Sequence, residues 1–397
     1  MQNNLNSVNK SSSFSIILIP FLLVIPKVNL ISIPGFWQGI RLEDIVTLLM
    51  LVFMILNSSK YTLKFNHPNT KFFVFIAYVF LSYLIGYLSG ISFGYIDLIT
   101  IARVIEYSTI VLYFSNVNFN KDNNKKIILF LKILIIINFL VSIGQYFELV
   151  GYYSSRGYHE PNFDYWRVFG ILSGSWELSF VTSISYFVIY LETKKKINVY
   201  LILTLIILFL AGTRGIQFPF ILTIVILYFP ELIKIQTKLK FIIYTFIFVS
   251  IFYFMYFVQD INIFFLLKSL IDLMFYGYVP DFSDLSKSEV VYYSWVHRLK
   301  DWLIYYELMN TNLITFLFGT GFSSIYYESF NFRILFGTGL FGFLLLILLT
   351  FRINVFIIIF LFITGITLDF TSSFKQFIIL YFLFQYMRSY NKNEISN

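Results

Sequence analysis

Apolar residues in this chain come in long unbroken runs, separated by short polar punctuation. Twelve runs approach the length of about 20 helical residues needed to cross roughly 30 Å of hydrocarbon: residues 14–33, 40–57, 71–89, 95–114, 127–149, 174–191, 197–212, 216–232, 241–258, 335–351, 353–368 and 372–388. They are rich in Ile, Leu and Phe, with no period-two alternation between turn signals. Helices, which satisfy their backbone within one segment, therefore fit better than a barrel. The pattern predicts an all-α, polytopic membrane protein with a single membrane domain over residues 1–397. One large outer loop, residues 259–334, separates the ninth and tenth spans. The first run continues past Pro20 and Pro26 without a small-residue cleavage site, so it reads as a retained span and not as a signal peptide.

Charge refines this picture by its distribution. The net charge of +8 would point to nucleic acid in a soluble chain, but here the lysines are sorted by loop. Lys60, Lys64 and Lys71 follow the second span, Lys121, Lys125 and Lys126 the fourth, Lys194, Lys195 and Lys196 the sixth, and Lys234, Lys238 and Lys240 the eighth. With Lys10, Arg352, Arg388 and Lys392 they make sixteen of the 29 lysines and arginines, all on one side of a twelve-span chain. The positive-inside rule makes that side cytoplasmic. The expectation is a multi-pass protein of a bacterial cytoplasmic membrane with both termini inside and no nucleic-acid partner.

The outer loops carry arginine instead: Arg41, Arg156, Arg167, Arg214, Arg298 and Arg333. Arginine offers a planar fork of donors that matches phosphate oxygens in pairs, which points to an anionic ligand on the outer face. Pairing with nearby carboxylates or lipid headgroups is the alternative for some of them. Arg214, in Ala211-Gly212-Thr213-Arg214-Gly215 between two apolar runs, is the most conspicuous, because a permanent charge there is costly to place. Arg103 and Glu106 stand three residues apart inside the fourth span, on one helical face, where they form either a structural bridge or part of a cavity lining. Asp369 and Lys375 flank the last outer loop and read the same way, while His159 and His297 read as surface histidines. With no cysteine and three histidines, the chain predicts no metal site and no cofactor. Outer aromatics such as Tyr152, Tyr153, Tyr158, Trp295 and Trp302 suit either an interfacial belt or stacking on sugar rings.

Four pieces, in order, resemble the Wzy-type O-antigen polymerase and O-antigen ligase superfamily from about residue 160 onward. Arg167-Val168-Phe169-Gly170 looks like its Arg-x-x-Gly element, and Thr213-Arg214-Gly215 like its Ser/Thr-Arg-Gly element at the outer end of a span. Arg298 through Trp302, with Gly319-Thr320-Gly321 about twenty residues on, resembles the Arg…Trp…Gly-x-Gly pattern of the large outer loop. Gly339-Leu340-Phe341-Gly342 resembles the Gly-x-x-Gly that starts the next span. One departure stands out: Glu328-Ser329 occupies the place where many members carry His-Asn, which favours the polymerase branch over the ligase branch.

The resemblance implies glycosyl transfer between lipid-linked saccharides at the outer face of the membrane. A sugar hydroxyl of an undecaprenyl-pyrophosphate-linked oligosaccharide repeat unit attacks the anomeric carbon of the growing chain, and undecaprenyl pyrophosphate leaves. Arg214 and Arg298 would then hold the pyrophosphate with Arg167 as a third cation, Glu328 would be the base, and Arg103 and Trp302 would contribute to substrate binding. Partners implied are membrane lipids and the flippase and chain-length regulator of the same polysaccharide pathway. The alternatives are a ligase of the same superfamily and a lipid-linked oligosaccharide flippase. A flippase should spread its charges through two related halves, and no half-to-half repeat is visible here.

Overall fold

The structure, a computed structural model, describes residues 18–31, 39–57, 68–90, 94–115, 121–154, 157–159, 167–193, 198–232, 271–272, 274–275, 299–300, 302–304, 306–307, 310, 312–321, 329–350, 355–369 and 373–395. Helix dominates. After a helical stretch over 18–24 come α1 (Leu42–Leu56), α2 (Pro68–Leu88), α3 (Tyr95–Ser115), α4 (Lys121–Tyr146), α5 (Ser175–Glu192), α6 (Val199–Ala211) and α7 (Arg214–Leu232). The short α8 (Leu313–Phe318) precedes α9 (Phe330–Thr350), α10 (Val355–Thr367) and α11 (Phe374–Ile395). Two small antiparallel hairpins complete the described elements: β1 (Asn29–Ile31) with β2 (Ile40–Arg41), and β3 (Tyr152–Ser154) with β4 (Gly157–His159).

Helices occupy ten of the twelve predicted apolar segments, and the segment at 241–258 lies outside the described residues. Two helices, over Asp122–Tyr146 and Phe330–Leu348, are long and apolar enough to cross a membrane, and shorter apolar helices accompany them. Two expectations need correction. The first run is helical only to residue 24 and then extends into β1, because Pro26 lacks the N–H a helix needs and forces the residue before it out of helical geometry. Gly339 does not start a span. It interrupts α9, which began nine residues earlier, with φ 67° and ψ −174°, a conformation that glycine alone adopts readily.

Local chemistry sets the other boundaries. Asn198 caps α6 by accepting from the Tyr200 amide at 3.1 Å, and Gly212 ends it in the left-handed region. Asn312 and Thr315 close a reciprocal capping box on α8. At α1, Asp44 accepts from the Arg41 amide at 2.8 Å.

The centre of the bundle is α5, buried from Ser175 to Leu191 at every position but Trp176, and wrapped by α4, α6, α7 and α11. Its interior side chains include Glu177, Ser179, Thr182, Ser183 and Ser185, while Leu48, Leu49, Leu84, Leu129, Leu140 and Leu348 stand exposed on α1, α2, α4 and α9. Polar groups inside and hydrocarbon outside reverse the arrangement of a water-soluble bundle.

A second body of packing joins α2, α8 and α9 through glycine. Gly321 donates to the Gly337 carbonyl at 2.9 Å, and the Ser82 hydroxyl donates to the Phe318 carbonyl at 2.6 Å. A Cβ at Gly339 would lie 2.6 Å from the Leu317 carbonyl group, so the break in α9 seats directly on α8. Gly339→Ala is therefore expected to lower the thermal unfolding midpoint of the detergent-solubilised protein. The backbone conformation alone costs about 1–3 kcal/mol for a non-glycine residue, and an unchanged midpoint would contradict this seating.

Candidate functional site

Contacts between helix ends gather one set of charged side chains at one end of the bundle. Glu177, fully buried at the start of α5, accepts from the Ser173 amide at 3.0 Å and from the Ser373 hydroxyl, and Lys27 Nζ lies 4.0 Å from it. Lys27 also sits 5.0 Å over the Trp176 ring. Lys375, on the first turn of α11, is 1% exposed, and its charge acts on the same carboxylate. Its Nζ has no hydrogen-bond partner among the described residues.

Beside this group, Arg41 Nη1 donates to Glu43 at 3.2 Å. Arg103 bridges two carboxylates, Asp44 of α1 and Glu106 of its own helix, the latter at 2.6 Å. Thr47 joins the same knot by donating to Glu106 at 3.3 Å. Arg333 of α9 pairs with Asp369 just past α10. The named groups are five cations, Lys27, Arg41, Arg103, Arg333 and Lys375, and five carboxylates, Glu43, Asp44, Glu106, Glu177 and Asp369. Their balance is what permits burial, since an uncompensated charge in such surroundings is costly.

The arginine elements singled out in the sequence come together next to this network. Val168 donates to the Leu210 carbonyl at 3.4 Å, and the Arg167 side chain lies over Gly212, where an added Cβ would touch its Cγ at 3.5 Å. Arg214 opens α7 two residues further on, half-buried, while Arg167 is exposed. The segment holding Arg167 is fixed from below. Gln145 Oε1 accepts from the Phe169 and Gly170 amides at 2.8 and 2.9 Å, and Asn138 accepts from Ile171 at 3.1 Å. Gly319-Thr320-Gly321 and the glycine element of α9 likewise meet each other, as described above.

Arg298, Glu328, Arg156 and His297 lie outside the described residues. Trp302 stacks on Phe332 with ring centroids 4.2 Å apart, one position from Arg333. Arg103 is bonded to two carboxylates and at the same time lines a cavity. That cavity, of about 470 Å³, lies between α2, α3, α9, α10 and α11, with Val79, Phe343, Leu346 and Phe384 among its walls and Arg103, Tyr107 and Arg333 as polar lining. Its lining also includes Ile347, Val355 and Phe362, which are exposed on α9 and α10. Among the described residues, no group of three or more His, Asp or Glu is placed to hold a metal ion.

No family model, no curated protein and no solved structure matches this chain. The superfamily resemblance therefore stands on the residues named for it.

Sequence reasoning paired Arg103 with Glu106 but missed Lys27, Glu43, Asp44 and Glu177 as members of one network. Each is a charge inside or at the edge of an apolar run, the same signal that marked Arg214, and it was there to be used. The balance itself yields a test. Glu177→Gln leaves five cations facing four carboxylates and should destabilise the fold by about 3–5 kcal/mol, read as a lowered unfolding midpoint. Adding Lys27→Met restores four against four and should recover part of that loss, whereas a double variant less stable than the single one would refute the balance.

Proposed function

We propose that this chain is a multi-pass polymerase of the bacterial cytoplasmic membrane, with both termini cytoplasmic and about twelve spans. It joins undecaprenyl-pyrophosphate-linked oligosaccharide repeat units into an O-antigen or capsular-type polysaccharide at the outer face. The observation that carries this reading is the meeting of Arg167 with the Gly212-Thr213-Arg214 turn. Two arginine elements about 45 residues apart in sequence are folded onto one another at the end of the bundle where topology also gathers the buried carboxylates. Exposed hydrocarbon on the helices, buried charge within, and two helices of spanning length support the membrane setting.

Charge balance assigns the roles. Because the ten buried charges neutralise one another, they offer no net positive field for a pyrophosphate. That task falls to Arg167 and Arg214, joined by Arg298. The apolar cavity beside Arg103 and Arg333 has the character needed for a hydrocarbon chain of a lipid-linked substrate. In the reaction, the attacking hydroxyl oxygen forms a bond to the anomeric carbon as the bond to the pyrophosphate oxygen breaks. The hydroxyl proton passes to a base, for which Glu328 is the candidate, and the electron pair leaves on undecaprenyl pyrophosphate. Arginines held in place before the reaction stabilise that leaving charge without reorganising.

Deleting the gene should leave surface glycan bearing a single repeat unit. Untranslocated intermediates would indicate a flippase, and polymer retained on undecaprenyl pyrophosphate a ligase. In the intact chain, Arg214→Ala should lower polymer formation by a factor of about 10² to 10³, the usual cost of one preorganised charge donor, at unchanged protein level. Normal long glycan in that variant would rule out the assignment.

A further inference from the structure

The β3–β4 hairpin has two different faces. On one, Tyr152 stacks with His159 at 4.7 Å and meets Phe169 edge-on at 4.4 Å, so this face is turned towards the segment that carries Arg167. On the other, Tyr153 and Tyr158 are direct cross-strand partners with ring centroids 5.2 Å apart and planes tilted by 56°. They are 50% and 56% exposed. A hairpin with three residues per strand has no stability of its own, so its position is imposed from outside. The Gln145 side chain, 1% exposed, donates to the Gly151 carbonyl at 3.1 Å and to the Gly170 carbonyl at 2.9 Å while accepting from the Phe169 and Gly170 amides. One buried amide thus holds the base of the hairpin and the Arg167 segment in a single geometry. Gly151 completes the seat, since a Cβ there would lie 2.5 Å from the Tyr158 hydroxyl.

We propose that this hairpin is a saccharide platform, with Tyr153 and Tyr158 presenting ring faces and hydroxyls to the sugars of a lipid-linked glycan whose pyrophosphate meets Arg167 and Arg214. The proposal rests on the polymerase reading. A pyranose ring has an apolar C–H face and a rim of hydroxyls, and tyrosine matches both with an apolar ring and a polar tip. Two rings inclined to one another form a corner, which suits a ring-shaped ligand better than a flat bilayer surface. Tyr146, Phe147, Leu149 and Val150, all exposed, precede the hairpin and occupy the level where hydrocarbon ends, so the tyrosine pair stands beyond it in water.

The test compares binding of two probes to the purified full-length protein: bare undecaprenyl pyrophosphate, and the same carrier bearing one repeat unit. The Tyr153→Ala/Tyr158→Ala protein should bind the glycosylated carrier about tenfold more weakly, the scale of one or two lost aromatic contacts, and bare carrier as the parent does. Tyr153→Phe/Tyr158→Phe, which keeps the rings, should retain most of the affinity. Equal affinity of the alanine and parent proteins for the glycosylated carrier overturns the platform and leaves the polymerase reading standing. Equal weakening for both probes overturns it in favour of a role at the lipid interface or in setting Arg167. A parent protein that binds neither probe overturns the polymerase reading and the platform with it.

Discussion

Everything at the working end of this molecule depends on burying charge in pairs. Five cations and five carboxylates meet there from the segment after the first helical stretch, from β2, α1, α3, α5 and α9, and from the residues on either side of the last turn. Hydrocarbon on the helix surfaces gives the chain no reason to bring distant helices together in one order, because side chains outside and lipid around them are equally apolar. Ion pairs supply that order. Arg103 can bond Asp44 only if α1 and α3 lie side by side, Arg333 can bond Asp369 only if α9 starts where α10 ends, and Ser373 reaches Glu177 only if α11 lies along α5. The network thereby determines which helix ends share one face of the bundle, and so where the exposed arginines fall.

Glycine fixes the remaining contacts at backbone distance. Gly212 lets α6 turn into α7 under the Arg167 side chain, and Gly319 and Gly339 let α8 meet the break in α9. These are the positions that the family resemblance picked out by letter alone, and the fold gives them a physical meaning. The conserved-looking glycines and arginines belong to two junctions, each formed by a loop pressed against a helix end.

Much of this was legible in the sequence because it is local. Hydrophobic run length located ten helices to within a few residues, and the i,i+3 spacing of Arg103 and Glu106 implied their bond. What stayed hidden is non-local or conformational. Nothing in residues 40–57 announces that Asp44 completes the coordination of Arg103, 59 positions away, or that Lys27 will face Glu177 across the bundle. Pro26 was visible, but run length outweighed it, and the first segment was taken as one span although a proline so near its end forbids that. Gly339 looked like a start signal because glycine marks interruptions in general. Only the helix from Phe330 onward shows that it interrupts a helix already under way. Arg298 and Glu328 keep the roles that the resemblance implies for them.

The central claim is that this chain alone elongates a lipid-linked glycan. Purified protein in lipid vesicles, supplied only with undecaprenyl-pyrophosphate-linked repeat units of its own pathway, tests it most directly, with products resolved by size. The account predicts a ladder of products rising in steps of one repeat unit, with undecaprenyl pyrophosphate released in proportion to the bonds formed. Substrate recovered unchanged at the size of a single unit, from protein that remains folded and vesicle-inserted, would contradict it.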